Sequence, residues 1–421
     1  MRIRLLTAAS MLSMVLALPT AALAGSLSDL LPSLFGRGGI LLRPSDNPPF
    51  THEPHFLVSS EQQLTVLNDS LRGQLSNVPL PSPVGGFTFR FDPTLGAFTR
   101  TTESFGPIYS QRADTTGRGR ITIGGSYSRF TFDSLDGKSL NNGELGVTFL
   151  HEPTCNLAGR PNCPFNFESD TISGRIKAGI TSDVFVASAT YGVTDNLDVS
   201  IAVPIIHTEI RLTGIAHINR IGTAGEVGVP THQFSNGSDT LTVHAADEST
   251  GIGDIVLRAK YNFFRGDPVL LAAGLDLRLP SGSEDDLRGV GTPVVSPVFI
   301  ASTRPFFGIS PHLNVGFHLS GDTSKLDHEF FYNVGFDWSV VKPVTFVFDV
   351  LGRRIIDNHR LKAGQGPNGT EIADSNIVDA ALGVKVNVWK NLLGVANVLL
   401  PLNRTGLRDN AAWLVGFEMS F

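Results

Sequence analysis

The chain has 421 residues, of which 41% are hydrophobic and 17% are charged, and its formal net charge is −6. A typical soluble domain has about 25% charged residues, and the length suits either two or three such domains or one large closed sheet. The acidic balance excludes a nucleic-acid binder, because such proteins carry a clustered basic surface.

The first 24 residues have the organisation of a secretory signal peptide. Arg2 and Arg4 form the charged start, an apolar run follows, and Ala22-Leu23-Ala24 matches a small-residue cleavage site. A membrane anchor is the alternative, but the apolar run is short and Pro19 interrupts it. We therefore predict that residues 1–24 are removed during export.

Residues 25–117 are predicted to form a separate N-terminal segment. Proline-rich polar sequence leads to a helix from about Ser59 to Leu75, because leucines recur there at helical spacing. A hairpin with a turn at residues 92–96 follows, and its first strand alternates Phe87, Phe89 and Phe91. One short helix and one hairpin bury little surface by themselves. We expect the segment to fold as a plug into the domain that follows; the alternative is a mobile periplasmic extension.

The two cysteines, Cys155 and Cys163, lie eight residues apart in a turn-rich stretch. The stretch lacks His and Cys partners at zinc-binding spacing, and a redox pair would need closer spacing. In an oxidising compartment these cysteines are predicted to form a disulfide that pins one loop.

From about residue 118 to the end of the chain, apolar and polar residues alternate with a period of two. This period is typical of β-strands that separate two environments. The run at 254–263 shows it clearly, because one face is charged or polar and the other carries Ile255, Leu257, Ala259, Tyr261 and Phe263. Residues 118–421 are therefore predicted to be all-β.

The connections between these runs distinguish a membrane barrel from a soluble sandwich. Short turns and long polar links, such as 216–250, alternate strictly, which is typical of transmembrane barrels with short periplasmic turns and long external loops. We predict an antiparallel transmembrane β-barrel of about 12 strands, near 119–132, 171–191, 198–215, 251–264, 269–280, 293–305, 311–320, 328–339, 344–356, 376–389, 392–402 and 411–421.

Two details of this strand assignment stay open. Fourteen strands result if Glu144–Leu150 forms a strand and the long run at 171–191 breaks near Gly179. Pro204 has no N–H, so it predicts a bulge or a missing ladder bond in the third strand.

Aromatic residues support the membrane assignment. An aromatic precedes every short turn: Tyr191, Phe263 and Phe264, Phe306 and Phe307, Trp338, and Trp389. Aromatics gathered at one end of the strands are typical of a membrane–water interface. We expect the protein to lie in the bacterial outer membrane, in contact with lipid and lipopolysaccharide.

The last strand alternates Trp413, Val415, Phe417, Met419 and Phe421. It resembles the C-terminal recognition strand of bacterial outer-membrane proteins. The resemblance implies that the barrel-assembly machinery binds the strand that ends at Phe421.

Several runs together resemble one bacterial outer-membrane family, that of the MetA pathway of phenol degradation. They are residues 87–93 (FTFRFDP), 191–204 (YGVTDNLDVSIAVP), 251–261 (GIGDIVLRAKY) and 275–282 (LDLRLPSG). The resemblance spans most of the mature chain and implies an outer-membrane barrel that transports aromatic or otherwise apolar compounds. It implies no catalytic residues and no cofactor.

The charged face of the strands is predicted to line the lumen. Depending on register, Arg258 lies opposite Asp276 or Asp254 lies opposite Arg278, so opposite charges meet across the strands. The candidate lumen residues are Asp254, Arg258, Lys260, Asp276, Arg278, Asp349, Arg353, Asp379, Lys385 and Glu418. Both signs are present, which predicts no strong ion preference. The alternative is that many of these charges only brace the barrel as pairs.

Enzyme and metal functions are not expected. His318 and Ser320 could suit an outer-membrane phospholipase, but the alternation turns both away from lipid. The acidic run at residues 284–286 could bind a divalent ion, although such clusters are usually solvated. We predict a passive outer-membrane channel for small, hydrophobic or aromatic solutes, without metal or cofactor. The alternative is a non-conducting barrel with a structural or surface-contact role.

Overall fold

The computed structural model describes residues 26–35, 42, 64, 67–68, 71–82, 89–92, 97–100, 104–150, 170–220, 232–356 and 376–421. The predicted signal peptide at residues 1–24 and the predicted disulfide between Cys155 and Cys163 lie outside the described residues.

Twelve antiparallel strands form one closed ring, which confirms the predicted all-β barrel. The strands are β1 Ile121–Leu135, β2 Thr171–Gly192, β3 Leu197–Asn219, β4 Val256–Arg265, β5 Val269–Arg278, β6 Val294–Thr303, β7 Ile309–Ser320, β8 His328–Val341, β9 Val344–Ile356, β10 Asn376–Trp389, β11 Leu392–Pro401 and β12 Ala412–Ser420. Consecutive strands pair with each other, and β12 closes the ring by pairing with β1.

The alternative of fourteen strands is wrong. The long run at Thr171–Gly192 is one unbroken strand. Leu145–Leu150 does form a strand, but it pairs only with the first residues of β2, from Leu150↔Thr171 to Leu145↔Ile176. It therefore extends the wall at the long-loop end instead of adding a strand to the ring.

The predicted polar link at 216–250 is in part a strand, Thr240–Ile252, which corrects the prediction. This strand pairs with the outer half of β3. β3 has 23 residues and β4 has 10, so the backbone groups of the outer half of β3 need a second partner.

Pro204 lies where β3 changes partner. Below it β3 pairs with β4, and above it β3 pairs with Thr240–Ile252. The Gly253 N–H donates to the Pro204 carbonyl at 2.9 Å. The irregularity that Pro204 predicts is thus a bulge at residues 253–255 of the neighbouring strand.

The outward face of the ring is an apolar belt. Leu257, Tyr261, Leu275, Phe299 and Leu313 are between 38% and 51% exposed. A closed barrel pairs its backbone groups between strands, which is one of two ways in which a chain can span a bilayer. The protein is therefore a bacterial outer-membrane barrel.

The aromatics that precede the short turns are also exposed. Trp338 is 42% exposed and Phe307 is 84% exposed, and the remaining aromatics of this set lie between these values. They form a girdle at the periplasmic end of the strands. Within the described ranges, no helix is long and apolar enough to span a membrane.

The described parts of the N-terminal segment begin at the long-loop end of the barrel. Residues 26–35 pack against the inner face of the wall formed by β2, β3 and the strand Leu145–Leu150, where the rings of Phe35 and Phe149 meet edge to face at 5.8 Å. A Cβ atom on Gly214 would lie 2.9 Å from the Phe35 ring. The absence of a side chain at Gly214 therefore makes room for Phe35.

The chain then returns towards the periplasmic end. The described residues of the predicted helix are helical and end at Leu75, and strands Phe89–Asp92 and Ala97–Arg100 pair as the predicted hairpin. Residues 104–116, which we call the lumen segment, cross the interior of the ring. Just beyond it, a Cβ atom on Gly192 would lie 1.9 Å from the Gly117 carbonyl oxygen, so only glycine fits this approach.

Candidate functional site

The lumen segment is held by inward-facing side chains of the barrel wall. Asn314 forms two hydrogen bonds with Gln111: its Oδ1 accepts from the backbone N–H at 2.7 Å and its Nδ2 donates to the carbonyl at 2.8 Å. Nine backbone groups of residues 105–116 are bonded in this way. The wall residues involved are Asp198, Lys260, Asn262, Ser302, Asn314, Thr345 and Lys385.

Two buried lysines contribute to this binding. The Lys260 Nζ donates to the carbonyls of Arg112, at 3.1 Å, and Asp114 and lies 3.8 Å from Asp198. The Lys385 Nζ is 2.7 Å from Glu418 and 3.4 Å from the Phe105 carbonyl. Both lysine side chains are fully buried, so these partners replace the water that each ammonium loses.

A buried charged cluster lies beside the lumen segment. The His312 Nε2 is 2.6 Å from Asp349, and its Nδ1 is 3.5 Å from Asp337. The Arg112 guanidinium is 3.8 Å from Asp337 and 3.4 Å from Asp114. Ser110 donates to Asp349 at 2.7 Å, and Ser104 donates to Asp337. The cluster therefore ties the lumen segment to β7, β8 and β9.

A second set of contacts holds residues 76–82, which cover the interior on the side of the long loops. The Asn77 side chain donates to Glu329 at 3.2 Å and accepts from Arg278 at 2.8 Å. The Asn77 backbone carbonyl accepts from Arg353 at 3.0 Å. Arg258 of β4 donates to the Ser82 hydroxyl at 3.2 Å and binds Asp276 through two other nitrogens, at 2.7 and 2.6 Å. Residues 76–82 are thereby fixed to β4, β5, β8 and β9.

Between this cover and the lumen segment lies a cavity of about 190 Å³. Residues 77–81 and the lumen segment line one side, and the wall from β3 to β10 lines the other. His318 and Phe331 stack in this wall with ring centroids 4.4 Å apart, and the His318 Nδ1 is 2.7 Å from the Ser296 hydroxyl. The lining is therefore mixed, with apolar, aromatic and charged groups.

The structure places all ten predicted lumen residues at buried or half-buried positions. Arg258, Asp276, Arg278, Arg353 and Asp379 line the cavity. Lys260, Lys385, Asp349 and Glu418 lie around the lumen segment. The register places Arg258 opposite Asp276, which is one of the two pairings left open by the sequence.

Asp254 has a different environment from the other nine. Its carboxylate accepts hydrogen bonds from the backbone N–H groups of Gly282, at 3.1 Å, and Val290, at 2.9 Å. Burial raises the pKa of Asp254, and the two N–H groups oppose this shift. Asp254 therefore anchors the loop between β5 and β6.

The acidic run at residues 284–286 is largely neutralised within the protein. Glu284 pairs with Arg72 at 3.0 Å and with Lys325 at 2.6 Å. Arg288, 2.6 Å from Asp286, lowers the pKa of that carboxyl. The described part of the chain contains no group of His, Cys, Asp and Glu side chains arranged to hold a metal ion.

The structure also brings to the interior several residues that the sequence did not single out. Asp198, His312 and Asp337 are fully or almost fully buried, and each occupies an inward position of its strand, so the alternation could have identified them. Tyr109 and Arg112 carry no such signal, because the lumen segment has no periodic pattern. Their positions follow from tertiary contacts.

The solved structures that align with this chain are distant from it in sequence. The NanC porin is 10% identical, with 59% of this chain and 98% of that chain covered and a TM-score of 0.35. A Pseudomonas aeruginosa FadL homologue is 12% identical, with 72% and 89% covered and a TM-score of 0.33. The Ralstonia pickettii toluene transporter TbuX is 12% identical, with 72% and 90% covered and a TM-score of 0.34. Similarity at this level carries no functional argument.

No curated protein matches the chain. The model of the family named "Putative MetA-pathway of phenol degradation" matches residues 159–388, which is more than half of the 421 residues. The match begins before β2 and ends within β10, so it covers most of the barrel wall and agrees with the resemblance identified from the sequence. The chain belongs to this family.

Proposed function

We propose that this protein is an outer-membrane channel through which small hydrophobic or aromatic compounds enter passively, and that residues 25–117 act as its plug. The observation that carries the proposal is the cavity of about 190 Å³ inside the barrel, between the N-terminal segment and the wall. Its lining combines apolar side chains with ion pairs. This combination suits a small solute with a large apolar surface.

The lumen segment is expected to stay in place while solutes pass. A hydrogen bond contributes a net of about 1 kcal/mol, so the nine backbone bonds together contribute on the order of 9 kcal/mol. That energy is comparable with the whole stability of a typical domain. Spontaneous release of the segment is therefore too rare to gate uptake, and the path runs beside it.

The interior charges favour neutral solutes. Arg258 is paired with Asp276, and Asp379 is paired with Arg408 at 2.6 Å. Paired charges of both signs produce no strong field that would select cations or anions. The family name adds support of a different kind, because a pathway of phenol degradation requires uptake of aromatic compounds.

The test is uptake by proteoliposomes that contain the purified full-length protein. We expect phenol and toluene to enter faster than in protein-free liposomes, and Phe331→Ala, which widens the cavity, to increase the rate. Phe336→Ala is the matched control, since Phe336 is 37% exposed on the outward face. If neither uptake nor single-channel conductance appears in any variant, the channel is rejected in favour of a non-conducting barrel.

A further inference from the structure

The cavity has the size of a site for one single-ring molecule. Its volume is about 190 Å³, whereas an apolar protein cavity of about 150 Å³ binds one benzene. A ring with one or two small substituents therefore fits, and two rings side by side do not.

One part of the cavity wall is apolar. It is formed by Val78 and Leu80 of the N-terminal segment and by Val294, Val298, Leu326 and Leu351 of the barrel side. Burying a ring against these side chains gains about 25 cal/mol for each Å² of apolar surface removed from water. This wall accounts for binding of the ring but does not distinguish one substituent from another.

Most charged groups of the cavity already have charged partners. Arg258 and Asp276 form a bidentate pair, Asp379 is paired with Arg408, and Arg353 lies 4.0 Å from Glu329. Arg278 donates to the neutral side chain of Asn77 at 2.8 Å. An ionic ligand bound at one of the paired groups would have to break the pair, and removing one member of a buried pair is costly. These pairs therefore favour a neutral ligand.

One neutral polar group of the lumen segment lines the cavity without a partner. Tyr109 is 8% exposed and is part of the cavity lining. Among the described residues, its hydroxyl has no hydrogen-bond partner. Buried polar groups are nearly always hydrogen-bonded, so this hydroxyl offers a donor and an acceptor to a polar substituent.

We propose that the cavity is a saturable binding site for one neutral single-ring aromatic molecule that carries a hydroxyl group, and that Tyr109 is its specificity-determining residue. The ring lies against the apolar wall, and the ligand hydroxyl exchanges a hydrogen bond with the Tyr109 hydroxyl. The proposal rests on the proposed function, because it assigns a substrate class and a subsite to the same channel.

The test measures binding of phenol, toluene and benzoate to the purified full-length protein in detergent by isothermal titration calorimetry. We expect one phenol per chain, bound more tightly than toluene or benzoate. Tyr109→Phe keeps the ring and removes the hydroxyl, so it should weaken phenol binding about twofold to tenfold, the value of one hydrogen bond, and leave toluene binding unchanged. Leu351→Trp fills the cavity and should abolish saturable binding of both.

Tyr261→Phe is the matched control, because Tyr261 is 51% exposed on the lipid-facing side. The proposal is overturned if phenol only partitions into detergent without saturation, if Tyr109→Phe weakens phenol and toluene equally, or if benzoate binds most tightly. Uptake measured in parallel separates the two hypotheses. Saturable phenol binding without uptake rejects the channel alone, and uptake without saturable binding rejects the site alone.

Discussion

Replacement of Asn314 by alanine should loosen the lumen segment without unfolding the barrel. Asn314 satisfies both the N–H and the carbonyl of Gln111, at 2.7 and 2.8 Å. Alanine leaves two buried backbone groups unpaired, at a cost of about 1–3 kcal/mol each. If water partly replaces the lost bonds, the opening free energy of the segment falls by about 2–4 kcal/mol.

The assay is amide hydrogen exchange of the purified protein, followed by mass spectrometry of peptides that cover residues 104–116. A decrease of about 2–4 kcal/mol corresponds to exchange that is faster by a factor of about 30 to 1,000. Peptides from β7 and β8 should keep the exchange of the wild type, because the barrel ladder is not changed.

Asn333→Ala is the matched control. Asn333 is the cross-strand neighbour of Asn314 on β8 and also lines the cavity, but its side chain makes no hydrogen bond to the described residues. We expect normal exchange of the lumen segment in this variant. Equal exchange in Asn314→Ala and Asn333→Ala would refute the conclusion that wall side chains hold the segment by its backbone.

Three further predictions concern the wall and its assembly. Lys260→Met leaves Asp198 buried without its ammonium partner, 3.8 Å away, so we expect a destabilisation of about 3–5 kcal/mol. Urea titrations of the folded band on gels measure this loss, and the double variant Lys260→Met/Asp198→Asn should recover part of it. Leu275 is 51% exposed on the outward belt, so Leu275→Arg should make the free energy of folding into lipid less favourable by about 2–4 kcal/mol. Detergent-to-lipid refolding titrations measure this change, and an unchanged midpoint would contradict the lipid-facing assignment. Deletion of Phe421 should lower the amount of barrel assembled in the outer membrane of cells while refolding in vitro remains near normal; equal loss in both assays would indicate a stability effect instead of recognition by the assembly machinery.

The barrel itself was predictable because its pattern is local. The sequence of each strand shows which residues face inward and which face outward, because neighbouring side chains point in opposite directions. The run at 254–263 shows this, because Leu257 and Tyr261 face outward while Arg258 and Lys260 face inward. Short turns fix which strand comes next, so twelve strands and their order follow from the sequence.

One departure from the prediction arises where a strand is longer than the strand it pairs with. The outer half of β3 has no partner in β4, and residues 240–252 fill that place although their polar composition resembles a loop. Polar side chains are compatible with a strand here because the surface beyond the membrane is in water. Composition alone does not distinguish such a strand from a loop.

The sequence by itself thus determined the closed sheet, its lipid-facing belt and the set of inward charges. Only the tertiary structure decided what those charges bind. Lys260 donates to the carbonyl of Arg112, 148 residues earlier in the chain, and Asn314 binds both backbone groups of Gln111. These contacts are made to the backbone of the lumen segment, and every sequence has the same backbone groups. The segment therefore has no periodic sequence pattern, and only its tertiary contacts inside the closed ring show where it lies.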